Sequence, residues 1–178
     1  SYLASNAELD IEKREDYLAS TRQNLLKFLL EGNFEDARLL CRNFLTFSKI
    51  GYFFDEVLRP VMYEIGSLWK SKQLDVGAEH IATNTAMRLI EGLAITPKMK
   101  SRGKTILICT PNGEYHLLPC IMIETFLSQN GYKIINMSPS APTKSIIAQV
   151  LESKPDLVLI SITLPDNINS AKRLAGEL

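Results

Sequence analysis

The sequence predicts a four-helix bundle followed by an α/β domain that is built on a parallel sheet. Two observations carry this prediction. Apolar residues recur at the helical spacing i, i+3 and i+4 in the first half of the chain, whereas short apolar runs alternate with helical stretches in the second half. Hydrophobic residues make up 46% of the 178 residues, so the chain can bury a core.

The first half, residues 10–97, is expected to hold four helices whose short connections favour a bundle. The first helix begins near Asp10 and is closed by Gly32. Asn33 can then cap the second helix, whose apolar stripe continues to Leu45.

The third and fourth helices complete the predicted bundle. The third runs from about Tyr52 to Lys70 and contains Pro60, which lacks an N–H and should kink it. Asp75 caps the fourth helix, and Pro97 follows its end. The inward side chains of the fourth helix are predicted to be Val76, Ile81, Met87, Ile90 and Leu93.

The second half is predicted to be a flavodoxin-like α/β domain at residues 104–178, reached through a polar and basic linker at 98–103. Residues 105–109 form a continuous apolar run, which is typical of a parallel strand buried on both faces. Strands are expected near 132–137 and 157–162, each preceded by a helix. Because such sheets normally have about five strands, we expect the domain to be C-terminally incomplete.

Composition narrows the class of protein. The formal net charge is zero, which disfavours broad nucleic-acid binding through a basic face. The longest apolar run is far short of the roughly 20 residues that span a bilayer, so no membrane association is expected. Cys41, Cys109 and Cys120 follow no Cys-x-x-Cys spacing and are interpreted as reduced thiols of a cytoplasmic protein. No nucleophile or paired acid and base stands out, which predicts that the chain is not an enzyme.

The loop after the first predicted strand carries the most informative chemistry. Ligands of open α/β sheets bind at the carboxyl ends of the strands, where this loop lies. Glu114 and His116 are two residues apart, which lets a carboxylate orient an imidazole. One histidine cannot hold a bare zinc ion, but it suffices for a metal that arrives in a macrocycle, as haem or a corrinoid. The alternative interpretation is a solvated or capping histidine.

With these features, the chain from about residue 15 to its end resembles the cobalamin-binding module of methionine synthase, of corrinoid proteins in methyltransferase systems and of the CarH/LitR light-sensing regulators. The family motif Asp-x-His-x-x-Gly corresponds to Glu114-Tyr115-His116-Leu117-Leu118-Pro119. Ser161-Ile162-Thr163 fits the family element that ends the third strand, and Met137 to Pro142 fits the loop after the second. Trp69, followed after nine residues by Glu79-His80, resembles the helical cap of the CarH-like sensors.

The resemblance implies a corrinoid held between the helical cap and the Rossmann-like domain. His116 would be the lower axial ligand of cobalt, Glu114 its partner, and Trp69 would pack over an adenosyl group. Adenosylcobalamin is therefore the expected cofactor, with methylcobalamin as the alternative. The expected cofactor-binding residues are Trp69, Glu79, His80, Glu114, Tyr115, His116, Ser138, Pro142, Ser161 and Thr163.

The implied function is sensory or regulatory, with light-responsive transcriptional regulation as its most specific form. The resemblance also implies a homo-oligomer that contacts DNA only through a domain outside this chain. Two alternatives remain open: a methyl carrier of a methyltransferase system, and a relative that has lost cobalamin and binds haem or another ligand. Pro119 motivates the second alternative because it stands where the family has glycine, and so does Lys70, which stands where the light-sensing branch has histidine.

Overall fold

The computed structural model of the chain describes residues 2–93 and 99–178, with side chains from residue 13 onward. Pro97 and Lys98, at the predicted end of the bundle and start of the linker, lie outside the described residues. The chain divides into two compact units, Ser1–Leu89 and Ile90–Leu178. Among the described helices, none is both long enough and apolar enough to cross a bilayer.

The first unit is helical, as predicted. Its helices are α1 (Tyr2–Leu30), α2 (Phe34–Leu45), α3 (Ile50–Phe53), α4 (Arg59–Lys70) and α5 (Val76–Leu93). The first helix begins well before the predicted start near Asp10, and α1 packs against both α2 and α4. Both predicted caps are confirmed, since Asn33 Oδ1 accepts from the N–H of Asp36 at 3.3 Å and Asp75 Oδ1 accepts from that of Gly77 at 2.6 Å.

The irregularity expected at Pro60 is a π-helical turn, Phe54–Leu58, that joins α3 to α4. Within this turn the N–H of Arg59 donates to the carbonyl of Phe54. Pro60 has no N–H to donate to the carbonyl of Glu56, and the guanidinium of Arg22 donates to that oxygen instead. A side chain of α1 thus satisfies the backbone group that the proline leaves free.

The inward face of α5 agrees with the predicted one only in part. Ile90 and Leu93 are buried as expected and Met87 is half-buried, but Val76 and Ile81 are exposed. Ala82 and Ala86 are fully buried in their place. Alanine gives a weak signal in a hydrophobic pattern, and the prediction therefore chose Val76 and Ile81 and missed the two alanines.

The second unit is a parallel three-stranded sheet with helices in the connections, which confirms the predicted alternation. Its elements are β1 (Thr105–Cys109), α6 (Leu118–Gln129), β2 (Lys133–Asn136), α7 (Thr143–Ser153), β3 (Leu157–Ile160) and α8 (Ile168–Glu177). The strand order is β2-β1-β3, and β1 pairs in parallel with both neighbours.

The central strand β1 is covered on both faces, as its continuous apolar run predicted. On one face, Ile106 and Ile108 pack with Cys120 of α6. On the other face, Leu107 and Cys109 pack with side chains of α7 and α8. The strand order reverses between β1 and β3, which places the expected ligand crevice at the carboxyl ends of these two strands.

The described part of the predicted 98–103 linker runs along the α/β unit. The N–H of Arg102 donates to the carbonyl of Gly131 at 2.9 Å, and its guanidinium lies over the ring of Tyr132. Gly131 has a φ of +87°, and a Cβ there would lie only 2.3 Å from the carbonyl oxygen of Lys100. Glycine is therefore required for this close backbone approach.

Candidate functional site

A buried carboxylate lies at the carboxyl ends of β1 and β3. The Glu114 side chain is only 1% exposed. Its Oε2 accepts hydrogen bonds from the N–H of Thr163 at 2.9 Å, the N–H of Leu164 at 3.2 Å and Nδ2 of Asn167 at 2.9 Å. Its Oε1 accepts from the backbone N–H of His116 at 3.2 Å and contacts Nδ1 of the same residue. Glu114 therefore ties the loop after β1 to the segment after β3.

These hydrogen bonds keep Glu114 ionised. Burial alone would raise the pKa of this carboxyl group, but donors from Thr163, Asn167, His116 and Leu164 outweigh burial. Together they lower the pKa of Glu114 from its ordinary value of 4.5 to about 2. A buried negative charge with a full set of donors therefore faces the imidazole at neutral pH.

The ionised carboxylate assigns the roles of the two ring nitrogens in His116. Nδ1 lies against Glu114 Oε1, so in the neutral imidazole Nδ1 carries the proton and Nε2 keeps its lone pair. The His116 side chain is 44% exposed. A half-exposed imidazole that is oriented in this way could offer Nε2 to a metal as a single ligand. Within residues 2–93 and 99–178, no three His, Cys, Asp or Glu side chains are grouped as a metal site of protein ligands alone would be.

Two hydroxyl groups that the sequence analysis missed shape the loop that carries Glu114. Thr110, which directly follows β1, is fully buried; its Oγ1 donates to the carbonyl of Glu114 at 3.0 Å and accepts from the N–H of Ser140 at 2.6 Å. Oγ of Ser140 accepts from the N–H of Gly113 at 3.0 Å, and Gly113 has a φ of +93°. The sequence could have indicated both residues, because Thr110 and Ser140 carry hydroxyl groups and follow predicted strands, in loops at the carboxyl edge of the sheet.

Three small polar side chains meet beside this loop. Ser138 and Ser161 follow β2 and β3, and the hydroxyl groups of both contact the thiol of Cys120 in the first turn of α6. Burial raises the pKa of the Cys120 thiol. Ser161 is fixed by its N–H, which donates to the carbonyl of Cys109 at 2.9 Å, and Ser138 by its N–H, which donates to Asn136 Oδ1 at 3.0 Å. The predicted residues Ser138 and Ser161 are therefore brought together.

The other predicted residues of the α/β unit surround the same edge. Thr163 meets Glu114 through its backbone N–H, Tyr115 is exposed, and Pro142 precedes the first residue of α7 as its N-cap. Pro119, which replaces the family's glycine, lies in the first turn of α6. A backbone N–H has no partner within the helix there, so proline costs little.

The predicted residues of the helical unit lie around the connection from α4 to α5. Trp69 is near the end of α4 and is 51% exposed. Glu79 lies in the first turn of α5, where its Oε1 accepts from the hydroxyl of Thr83 at 2.7 Å. His80 Nε2 lies 3.5 Å from Glu79 Oε2, so the structure brings these two side chains together.

Comparisons with known proteins agree with these features. A family described as the B12 binding domain matches residues 21–93. The HTH-type transcriptional repressor CarH of Myxococcus xanthus is 29% identical over 109 residues, which cover 61% of this chain and 36% of the repressor. The aligned part therefore spans well under half of the repressor's length.

A solved structure shows the same fold. The monomethylamine corrinoid protein of Methanosarcina barkeri matches 90% of this chain and 77% of its own chain, with a TM-score of 0.69 and 14% identity. The helical unit followed by a parallel α/β unit is thus an established architecture. The helical part of this chain is similar to the B12 binding domain family, and the predicted resemblance to the cobalamin-binding module of the CarH type is confirmed.

Proposed function

We propose that this chain is a sensory or regulatory domain that binds cobalamin with His116 as the lower axial ligand of cobalt. The observation that carries the proposal is the contact between His116 Nδ1 and the ionised carboxylate of Glu114. A carboxylate on the far ring nitrogen fixes the tautomer and makes Nε2 a stronger ligand. Bound cobalamin would supply the cobalt atom and its upper organic ligand, and the protein would supply the imidazole.

The slot for the displaced nucleotide tail is proposed to lie at Ser138, Ser161 and Cys120. Small hydroxyl and thiol groups leave room for a tail and offer it hydrogen bonds. Thr163 lies on the same edge because its backbone N–H binds Glu114. Tyr115 and Pro142 are proposed to contact the cofactor around this slot.

The upper ligand is proposed to contact Trp69, Glu79 and His80 of the helical unit. The half-exposed indole of Trp69 has aromatic surface to offer an adenosyl group. Glu79 and His80 would then hydrogen-bond the sugar or the base. This assignment favours adenosylcobalamin over methylcobalamin.

We propose that the state of the bound cobalamin regulates the assembly of copies of this domain. The matched relative is described as a transcriptional repressor, which supports a regulatory role without catalysis for this domain. We propose that the domain forms a homo-oligomer and that DNA is contacted only by another part of the protein. Lys70 follows Trp69, and an ammonium group is a poor ligand for cobalt. A light response, if present, would therefore not use that position to capture cobalt.

Titration with adenosylcobalamin in the dark tests the proposal. The chain has two histidines, so His80→Ala is a matched control for His116→Ala. We expect the cofactor bound to the wild type and to His80→Ala to have the same absorbance spectrum. The cofactor bound to His116→Ala should have the spectrum of a corrinoid that lacks a lower axial nitrogen ligand. Failure of the wild type to retain the cofactor in size-exclusion chromatography would contradict cobalamin binding.

Illumination tests whether the domain responds to light, and methylcobalamin tests whether it is a methyl carrier instead. Under the regulatory proposal, green light changes the size of the adenosylcobalamin complex in size-exclusion chromatography. An unchanged size removes only the light response. Tighter binding of methylcobalamin, with loss of its methyl group to a methyltransferase partner, would favour the methyl carrier instead.

A further inference from the structure

A concave surface on the helical unit is lined by residues that the cobalamin proposal does not use. This aromatic groove is lined by Arg14, Tyr17, Phe44, Phe47, Lys49 and Tyr52, among others. Its volume of about 750 Å³ lies within the range of small-molecule sites, which are mostly apolar with a few placed polar groups.

A buried ring supports the aromatic wall of this groove. Phe44 is almost fully buried, and its ring centroid lies 6.0 Å from that of Tyr17, 5.5 Å from that of Phe47 and 6.2 Å from that of Tyr52. Tyr17 and Phe47 remain 43% and 66% exposed. The fold therefore holds two aromatic rings at the surface on a packed base, and covering them would release water from apolar surface.

The charged side chains that line the aromatic groove are all positive. Arg14 and Lys49 line it, and none of its described lining residues is acidic. Nε and Nη2 of Arg14 donate to the hydroxyl of Tyr52 at 3.1 and 2.5 Å, which fixes the guanidinium. The guanidinium has five N–H groups, so donors remain for a ligand. Lys49 forms no ion pair in the part of the chain that the structure describes.

We propose that the aromatic groove binds a small aromatic carboxylate. The ligand's ring would pack on Tyr17 and Phe47, and its carboxylate would pair with Arg14, with Lys49 adding positive potential. Guanidinium and carboxylate match as planar, bidentate partners, which favours a carboxylate over other anions. The aromatic groove shares no lining residue with the loop of Glu114 and His116, so its occupancy does not depend on the proposed function.

Calorimetric titration of the full chain with naphthoate and with the neutral analogue naphthylmethanol tests the proposal. We expect naphthoate to bind at least about tenfold more tightly than the alcohol, as one charge-assisted hydrogen bond would provide. Arg14→Gln should remove that difference, because it removes the charge and leaves the aromatic wall. Phe47→Ser should weaken both ligands; its side chain is largely exposed, so the fold is retained.

Arg59→Gln is the matched control, since Arg59 is an exposed arginine of the same unit that pairs with Asp55. It should leave both affinities unchanged. The proposal is overturned if naphthoate binds no better than the alcohol, or if Arg14→Gln and Arg59→Gln behave alike. It is also overturned if naphthoate fails to bind and Phe47→Ser dissociates an oligomer, because the aromatic groove would then be an interface between copies.

Discussion

The α/β unit is expected to lose stability as the pH falls from about 5 to about 2, and Glu114→Gln is expected to remove most of this dependence. The pKa of Glu114 is lowered in the folded chain from 4.5 to about 2. A lowered pKa means that the carboxylate stabilises the fold fully above its unfolded pKa. That stabilisation disappears as the pH falls through the folded pKa. The shift corresponds to about 3 kcal/mol, because each pKa unit is worth roughly 1.4 kcal/mol.

Hydrogen exchange of the β1 and β3 amides, followed from about pH 6 to about pH 2, measures this loss of stability. Glu114→Gln should also lower stability at neutral pH by about 1–3 kcal/mol, because an amide cannot accept from every donor that faces the carboxylate. Glu152→Gln, on the exposed face of α7, is the control and should resemble the wild type. Asp156, whose pKa is lowered by its hydrogen bond to Lys104, contributes equally to all three proteins. An unaltered pH dependence in Glu114→Gln would contradict the assignment.

Ser161→Leu is expected to weaken cobalamin binding by about 10- to 100-fold and to leave cobinamide binding nearly unchanged. Cobinamide has the same corrin ring but lacks the nucleotide tail. Ser161 contacts Cys120 beside the proposed slot, so a leucine there would fill space that only the tail needs. Overpacking of this kind costs about 1–3 kcal/mol, which sets the expected range.

Absorbance titrations with the two corrinoids measure this difference. Ser153→Leu in the last turn of α7 serves as the control, since it makes the same substitution at the end of the helix that is remote from the carboxyl edge of the sheet. Equal weakening of both ligands would indicate general damage to the α/β unit. Unchanged cobalamin affinity would show that the tail lies elsewhere.

Local signals in the sequence predicted much of the fold. The caps Asn33 and Asp75 are found as expected because each depends on neighbours within three residues. The run at β1 predicted a strand covered on both faces, since only such strands tolerate continuous apolar residues. The buried face of α5 was predicted only in part, because Ala82 and Ala86 are buried whereas the larger Val76 and Ile81 are exposed.

Part of the candidate site was predictable from the sequence, because some of its contacts join residues that are close along the chain. Glu114 and His116 are two residues apart, and their contact follows from local geometry. Asn167 and the N–H of Thr163 also bind Glu114, but they lie 53 and 49 residues away along the chain. Their approach depends on β3 pairing beside β1, which no spacing in the sequence encodes. The low pKa of Glu114 could therefore be derived only from the folded chain.

The central claim is that an imidazole of the protein, and not the base of the cofactor, binds cobalt from below. Electron paramagnetic resonance of the cobalt(II) form tests it most directly, because the axial nitrogen splits each line. The account predicts a triplet for unlabelled protein and a doublet after ¹⁵N labelling of histidine. His80→Ala should keep the doublet, and His116→Ala should lose it. A triplet that persists in the labelled wild type would contradict the account, since the nitrogen would then belong to the cofactor.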